Sequence, residues 1–550
     1  MNRILDTLFE TIRLRFEDMF RDRTIKKNGT LTALLLTLVF FVVMEYFTLL
    51  PINFRNVEFV TFFTACFVGF NVLRCMFTLA FDMVTKSSIV ITLLLVMYLG
   101  IGQVFSFPIF HAEEYQSQLV FDTNADFFKD NEKVNYQSIP VVDRLSAERL
   151  GDRKMGEIVD YVSQFEVDDE YDQINYKDKP YRVTTISYSN IFKWLSNHSS
   201  GLPAYITVDM VTQESEVVRL KEGMKYSHSD LFFRNIERYL RINYPTKMFE
   251  TPSFEIDEDG VPYWIASVYD YKVGVFGGKD IVGAVLVNAC TGEHQYYDIS
   301  EIPTWIDCVY PTSLLLTQLN NWGLYTNGYF NTLFSQKGVL MPTDGYNYIA
   351  LNDDVYLYTG LTSVSSDASN VGFALINMRT KESKYYAISG AEEYSAMSSA
   401  EGKVQNLQYI ATFPILVNAG GEPTYFMSLK DSAGLVKCYA FVSVKNYQLV
   451  AVGNSVAEAE NAYYQLLSDN DFGTSDLETV TLETSITKIK NAVVDGNTHY
   501  YMTVEGSDKI FIAPVSLNDK LPLAAAGDKV VIKYLDDNSS SEIITSIEFK

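Results

Sequence analysis

Cysteine, histidine and, over most of the chain, positive charge are scarce. Five cysteines in 550 residues are too few for a disulfide-built exterior domain, and none stands in a CxxC pair. Cys66 and Cys75 fall in apolar runs, which leaves Cys290, Cys308 and Cys438. Either one bridge joins Cys290 to Cys308 or the thiols are free, and stability comes mainly from ordinary packing. The five histidines (His111, His198, His228, His294 and His499) form no HxxxH pair and no Cys/His cluster. That pattern argues against a zinc enzyme. No GxSxG elbow, Walker loop or GxGxxG loop occurs, and Gly277-Gly278 reads as a turn between strands. No catalytic, cofactor-binding or metal-ligating residue is therefore assigned, and the expectation is a non-enzymatic chain without cofactor.

Lysine and arginine are also few after residue 110. Residues 1–110 hold 10 of the 44 basic and 8 of the 68 acidic side chains, so residues 111–550 carry 34 against 60, a net of −26. A surface of that sign repels nucleic acid and anionic lipid. A chain of this length also exceeds one hydrophobic core, so several domains are expected.

What the sequence does have is three long apolar runs, near 31–50, 59–81 and 88–110. Each has roughly the 20 residues that a helix needs to cross about 30 Å of hydrocarbon. Some thirty residues precede the first run and two more runs follow it, so an uncleaved anchor is expected and not a signal peptide. Arg3, Arg13, Arg15, Arg21, Arg23, Lys26 and Lys27 precede the first run, whereas only Lys129 follows the third closely. The positive-inside rule then puts the N-terminus in the cytoplasm and residues 111–550 outside, in a multi-pass cell-membrane protein. Ile4, Leu5, Leu8, Phe9, Ile12, Phe16, Met19 and Phe20 make one helical apolar stripe, suited either to the inner membrane face or to the ends of the spans. Glu45, Asn71 and Arg74 are polar groups inside the runs. They mark either a pathway or helix–helix contacts and snorkelling.

Beyond the spans, residues 111–180 read as a helical neck, with helical spacing across 142–165. A pattern then recurs in GLPAYITVDMVTQESEVVRL from Gly201, VGAVLVNACTGEHQYYDI from Val282 and VGFALINMRTKESKYYAI from Val371. Each has an alternating strand, an Asp or Asn, a Thr and a Glu two residues apart (Thr212/Glu214, Thr291/Glu293, Thr380/Glu382) and a second strand, the pattern of a β-hairpin. An aromatic strand precedes each, from Pro180, Pro262 and Tyr346, and a degenerate fourth copy runs from Pro423 and Val436. Helices are expected between copies at 230–242, with Ser227-His228-Ser229-Asp230 as a capping signal, at 313–322 and at 456–467. The fold class is thus a membrane-anchored multidomain chain: a cytoplasmic basic amphipathic segment (1–30), three transmembrane helices (31–110), the neck (111–180), α+β modules of antiparallel sheet and helix (181–250, 251–340, 341–418 and 419–470) and, after an Asp/Ser/Gly-rich linker, a small OB- or SH3-like barrel (477–550).

The valine-rich strand ending in Thr-Gly-Glu at Thr291–Glu293 resembles PepSY-type modules, over roughly residues 180–455. The whole layout is similar to a group of Gram-positive membrane proteins sometimes labelled as cell-shape or Tat-signal proteins, although no twin-arginine signal of the required form is present. The PepSY resemblance implies an alternative role as a regulator or inhibitor of secreted peptidases. The leading expectation is an extracytoplasmic binding or scaffold protein of the cell envelope with an envelope-protein or cell-wall partner and no nucleic acid. A transport-related membrane component using the polar groups of the spans is a further alternative.

Three sets of residues invite chemistry. Cys290 and His294 flank a turn and could form a nucleophile–base pair, or could be brought together by the hairpin alone. Asp168, Asp169, Glu170 and Asp172, and Asp257, Glu258 and Asp259 before Gly260, offer calcium oxygens or serve as a solvated loop and a hairpin turn. Tyr263/Trp264, Tyr296/Tyr297, Trp322/Tyr325/Tyr329 and Tyr385/Tyr386 are stacking rings or cross-strand core pairs.

Overall fold

The computed structural model describes residues 23–78, 82–131, 139–351, 353–364, 369–470, 479–494, 497–535 and 541–550. The N-terminal stripe up to residue 22, most of the Asp/Ser/Gly linker and the Asp495-Gly496 turn lie outside them. The chain divides into two compact units.

The first unit comprises residues 1–118, 225–252 and 264–302. Its helices α1 (Arg23–Thr48), α2 (Val57–Thr78) and α3 (Met83–Phe105) are long and apolar enough to cross a membrane, and the protein is membrane-associated. Leu35, Leu38, Val42 and Phe47 of α1 and Leu93, Leu94 and Met97 of α3 stay exposed, as hydrocarbon-facing side chains do. Between the helices, Phe41 stacks on Phe62 with ring centres 5.4 Å apart. Arg74 of α2 is buried, grips both oxygens of Asp82 at 2.7 Å and donates to Thr30 of α1 at 3.2 Å. Asp82 is at the same time the N-cap of α3, accepting from Val84 and Thr85. One arginine thereby ties all three helices, and Asn71 adds a 3.4 Å contact to Thr92. These are helix–helix contacts, one of the two readings open in the sequence.

A sheet of the same unit is fastened to the ends of these helices. It contains Met248–Phe249, the part of Pro262–Val273 from Trp264 onward, Gly277–Asn288 and His294–Asp298. Ser106, the C-cap of α3, accepts the Val275 and Phe276 N–H groups at 3.1 and 2.9 Å. Phe276 packs so closely on Gly102 that a Cβ there would lie 2.4 Å from its ring. Arg241 donates to the Leu49 carbonyl at the end of α1 at 2.8 Å, and Arg55 binds Asp270 at 3.1 Å and the Tyr271 carbonyl. Carbonyls at a helix end have no partner within the helix, so the Arg241 side chain both caps α1 and ties helix Ile236–Asn243 to it.

Ile236–Asn243 starts later than the sequence pattern suggests. Asn235 is its N-cap, while Ser227 accepts the Asp230 N–H in a separate turn before it. Asn235 bonds the Arg238 N–H directly, and a local side-chain bond of this kind decides where a helix begins.

The second unit comprises residues 119–224, 253–263 and 303–550. It holds sheets built on Lys179–Tyr188 with Leu202–Asp209, on Asp354–Ser363 with Ser369–Asn377 and on Glu422–Lys430 with Val436–Ser443. In each, the first of these strands also pairs with two shorter strands that precede it, and the second pairs with one that follows, except that Ser369–Asn377 pairs with both Ser383–Tyr386 and Gly390–Ala391. The stretch read as a helical neck holds Arg144–Gly156 and Val159–Val162, and it also supplies strands Phe165–Val167 and Asp172–Tyr176. Tyr358, Phe373, Tyr425 and Ala440 join the third and fourth sheets in one core with Ala396 and Ala400 of helix Glu393–Lys403.

The Asp/Asn and Thr-x-Glu signature has a direct structural cause. Asp209, Asn288 and Asn377 each accept two N–H groups in the turn that follows, and Thr212, Thr291 and Thr380 each accept the N–H of the next Glu. The residue between Thr and Glu sits in the left-handed region in all three: Gln213 at φ 64°, Gly292 at 77° and Lys381 at 65°. The polar side chains thus replace the turn's missing backbone partners.

Residues 479–549 form a closed five-stranded barrel in the order Thr479–Val494, Asn497–Val504, Ile510–Pro514, Ser541–Phe549, Lys529–Leu535. Ile486, Met502, Phe511, Val530, Ile532 and Ile547 fill it. Each such fully buried side chain contributes roughly 1.5–3 kcal/mol.

Candidate functional site

Among the described residues of the second unit, the densest buried chemistry lies where three segments meet: strand Asp172–Tyr176, the hairpin around Ser253–Ile256 and the loop before helix Thr312–Leu324. Asp172 accepts the Phe254 N–H at 2.7 Å. The next residue, Glu255, is fully buried and accepts the N–H groups of Asp307 and Cys308 at 3.0 Å each. Asp307 in turn accepts the Asn175 N–H at 2.6 Å, and the Cys308 thiol lies 3.6 Å from the Gln173 carbonyl. Three carboxylates and a thiol therefore stitch three segments through backbone N–H groups and carbonyls.

Burial dominates the electrostatics. It pushes Glu255 up to about 8 against the opposing pull of the two N–H groups. It also raises Asp307, helped by the neighbouring charge of Glu255, and it raises the Cys308 thiol. Two acids packed this way hold a proton at neutral pH. Arg182 faces the same region, and burial lowers its pKa. It donates to the Tyr171 carbonyl at 3.3 Å, while its Nε and the Gln173 side-chain amide find no partner among the described residues. With Glu255 and Asp307 both covered by protein, the arrangement stores a proton and clamps the three segments.

A second feature is open to solvent. A groove of about 530 Å³ is lined by Arg153, Lys154, Glu157, Tyr181, Asp209 and Gln213, among others. Its mixed charges and one aromatic ring suit a polar ligand.

The residues singled out from the sequence go to other partners. His294 bonds the Tyr244 hydroxyl at 2.9 Å and packs on Tyr239, while the Cys290 N–H belongs to the Asn288 turn. None of the five cysteines is disulfide-bonded, so Cys290 and Cys308 are not bridged. Asp168 accepts the Glu170 N–H and Asp257 those of Asp259 and Val261, so one acid of each run shapes a turn, and Asp172 belongs to the buried clamp. No group of three or more His, Cys, Asp or Glu among the described residues is placed to hold a metal ion. Of the remaining histidines, His111 meets Glu114, His198 stacks on Trp194, His228 bonds Glu237 at 2.6 Å and His499 meets Glu458 at 3.2 Å. The aromatic clusters pair within the protein: Tyr263 with Trp305, Trp322 with Tyr385 and Phe121, and Tyr386 with Phe127.

Glu255 and Asp307 were missed. The signal was present as a single acid inside an apolar run, in Phe254-Glu255-Ile256 and in Ile306-Asp307-Cys308-Val309.

No known protein family and no curated protein matches the chain. Among solved structures, the crystal structure of the polysaccharide lyase Uly1 matches at 9% sequence identity, covering 67% of this chain and 79% of that one, with a TM-score of 0.13. The expectation of a non-enzymatic chain is corrected on this finding. A TM-score that low carries no argument about fold or activity, so the correction removes an exclusion and puts no reaction in its place.

Proposed function

We propose that the chain is a membrane-anchored extracytoplasmic binding or scaffold protein of the cell envelope, with its N-terminus in the cytoplasm and its sheets and barrel outside. The observation that carries this reading is the seating of a sheet on the membrane helices through Ser106–Val275/Phe276 and Arg55–Asp270, with helix Ile236–Asn243 held to the end of α1 through Arg241–Leu49. A fixed platform at the membrane is what a scaffold needs, because preorganised surfaces lose less entropy on binding. The shared strand order of the sheets and the three matching Asp/Asn–Thr turns support a repeat of PepSY-like modules. The order of the barrel strands supports an OB-like module. The groove beside Arg153 and Lys154 is the surface offered to an envelope protein or wall fragment.

The test is affinity capture from envelope extracts with the full detergent-solubilised chain. The expected result is enrichment of a defined envelope protein or wall fragment, reduced when Arg153→Glu and Lys154→Glu are combined. Capture of nothing above a blank resin rejects the reading.

A further inference from the structure

We propose that Phe232 and Phe233 form a wedge that sits in the membrane interface beside α1, with the lipid surface as its partner. Phe232 and Phe233 are 57% and 68% exposed, and Ile242 of the following helix is 53% exposed. Adjacent phenylalanines left in water are costly, and exposed apolar patches mark contact surfaces.

Three observations place this patch against lipid. Arg238 donates to the Phe232 carbonyl at 2.9 Å and lies 4.4 Å over the ring of Tyr46. Tyr46 belongs to the last turn of the apolar span Asn28–Thr48, so the short 3-10 turn Phe232–Arg234 is held level with the end of that span. Around Tyr46, the same end of α1 carries the outward-facing apolar side chains Val42, Val43 and Phe47, the last 70% exposed. Aromatic rings concentrate at this depth in membrane proteins because a flat apolar body fits between headgroups and chains. Lastly, the charge is reversed locally. Residues 225–247 carry Lys225, Arg234, Arg238, Arg241 and Lys247 against Asp230 and Glu237, within a chain of net charge −24, which favours anionic headgroups. Phe232 adopts a left-handed φ of 55°, a costly conformation for a bulky residue. The wedge rests on the spans and on Arg238, and is independent of the orientation and binding role proposed above.

The experiment uses the full chain with Phe233→Trp, reconstituted in vesicles of phosphatidylcholine and phosphatidylglycerol. A control with Phe334→Trp places the ring at a position of the second unit that is 81% exposed. The native tryptophans are common to both and cancel in the difference spectra. The ring added at 233 is expected to emit to the blue of that at 334 and to lose most of its emission when the lipids are brominated near the headgroups. Emission matching the control overturns the proposal. So does a blue shift that bromine leaves untouched, because a second copy or a protein partner would then cover the patch.

Discussion

Glu255 accepts the backbone N–H of Asp307 at 3.0 Å, which brings two buried acids into one electrostatic unit. Burial raises Glu255 from an ordinary value of 4.5 to about 8. The folded chain thus keeps a proton that the unfolded chain gives up at lower pH. Stability from this group is complete in acid, declines as the pH rises above the ordinary carboxylate range and is lost once the pH passes about 8. Thermal unfolding between pH 5 and 9 is expected to show this decline, and Glu255→Gln to remove much of the slope. The variant also loses about 1–3 kcal/mol, because one of two backbone N–H groups is left facing an amide donor. An unchanged slope in the variant would assign the pH dependence elsewhere.

Arg379 binds both oxygens of Asp354, at 2.7 and 2.8 Å, in the turn region of the third sheet, and both side chains are largely covered. Removing the arginine leaves the carboxylate with the Asn377 side-chain N–H, at 2.8 Å, in place of a charged partner. Arg379→Ala is expected to cost about 3 kcal/mol, near the low end for a buried pair broken on one side. Chemical denaturation would show it, and a change below about 0.5 kcal/mol, as for an exposed pair, would refute the assignment.

These two cases show how far the sequence could be read. The spans, the hairpins with their Thr-x-Glu turns and the five barrel strands were legible because each rests on local chemistry: length and apolarity, period-two alternation, or a side chain bonding its own turn. Asp172 was visible only as one acid in a run, and Glu255 and Asp307 were not singled out. Their role depends on residues 172, 255 and 307 meeting in space, which no local pattern encodes. The start of helix Ile236–Asn243 was misread because Ser227 and Asn235 both suit a cap, and it is the Asn235 side chain that bonds into the helix, at the Arg238 N–H, while Ser227 closes a turn of its own.

Lys381 holds a left-handed φ of 65° at the turn position where Gly292 stands in another hairpin. A side chain there is strained by about 1 kcal/mol. Lys381→Gly is therefore expected to leave stability unchanged or raise it by up to about 1 kcal/mol, as the relieved strain outweighs the added freedom of the unfolded chain. Gly292→Ala should do the reverse and more, because its Cβ would lie 2.4 Å from the Tyr226 ring. Differential scanning calorimetry on both variants decides the matter; a stabilising Gly292→Ala would contradict the shared turn.

The Ser106 hydroxyl accepts both the Val275 and Phe276 N–H groups. Ser106→Ala leaves both without it, at a cost of about 1–3 kcal/mol for each that water does not reach. Amide exchange at residues 275 and 276 is expected to accelerate by one to two orders of magnitude, about what that energy implies, while strand His294–Asp298 exchanges as before. Unaltered exchange at both amides would mean that the seating on α3 rests on Phe276 and Gly102 alone.

The account stands or falls on which side of the membrane the acidic bulk of the chain lies. Intact protoplasts carrying the full chain are treated with an added protease, and the membrane fraction is probed for the segment before residue 110 and for the C-terminal barrel. The account predicts loss of the barrel from intact protoplasts with a membrane-held fragment left behind. A barrel that survives until the cells are lysed would contradict it.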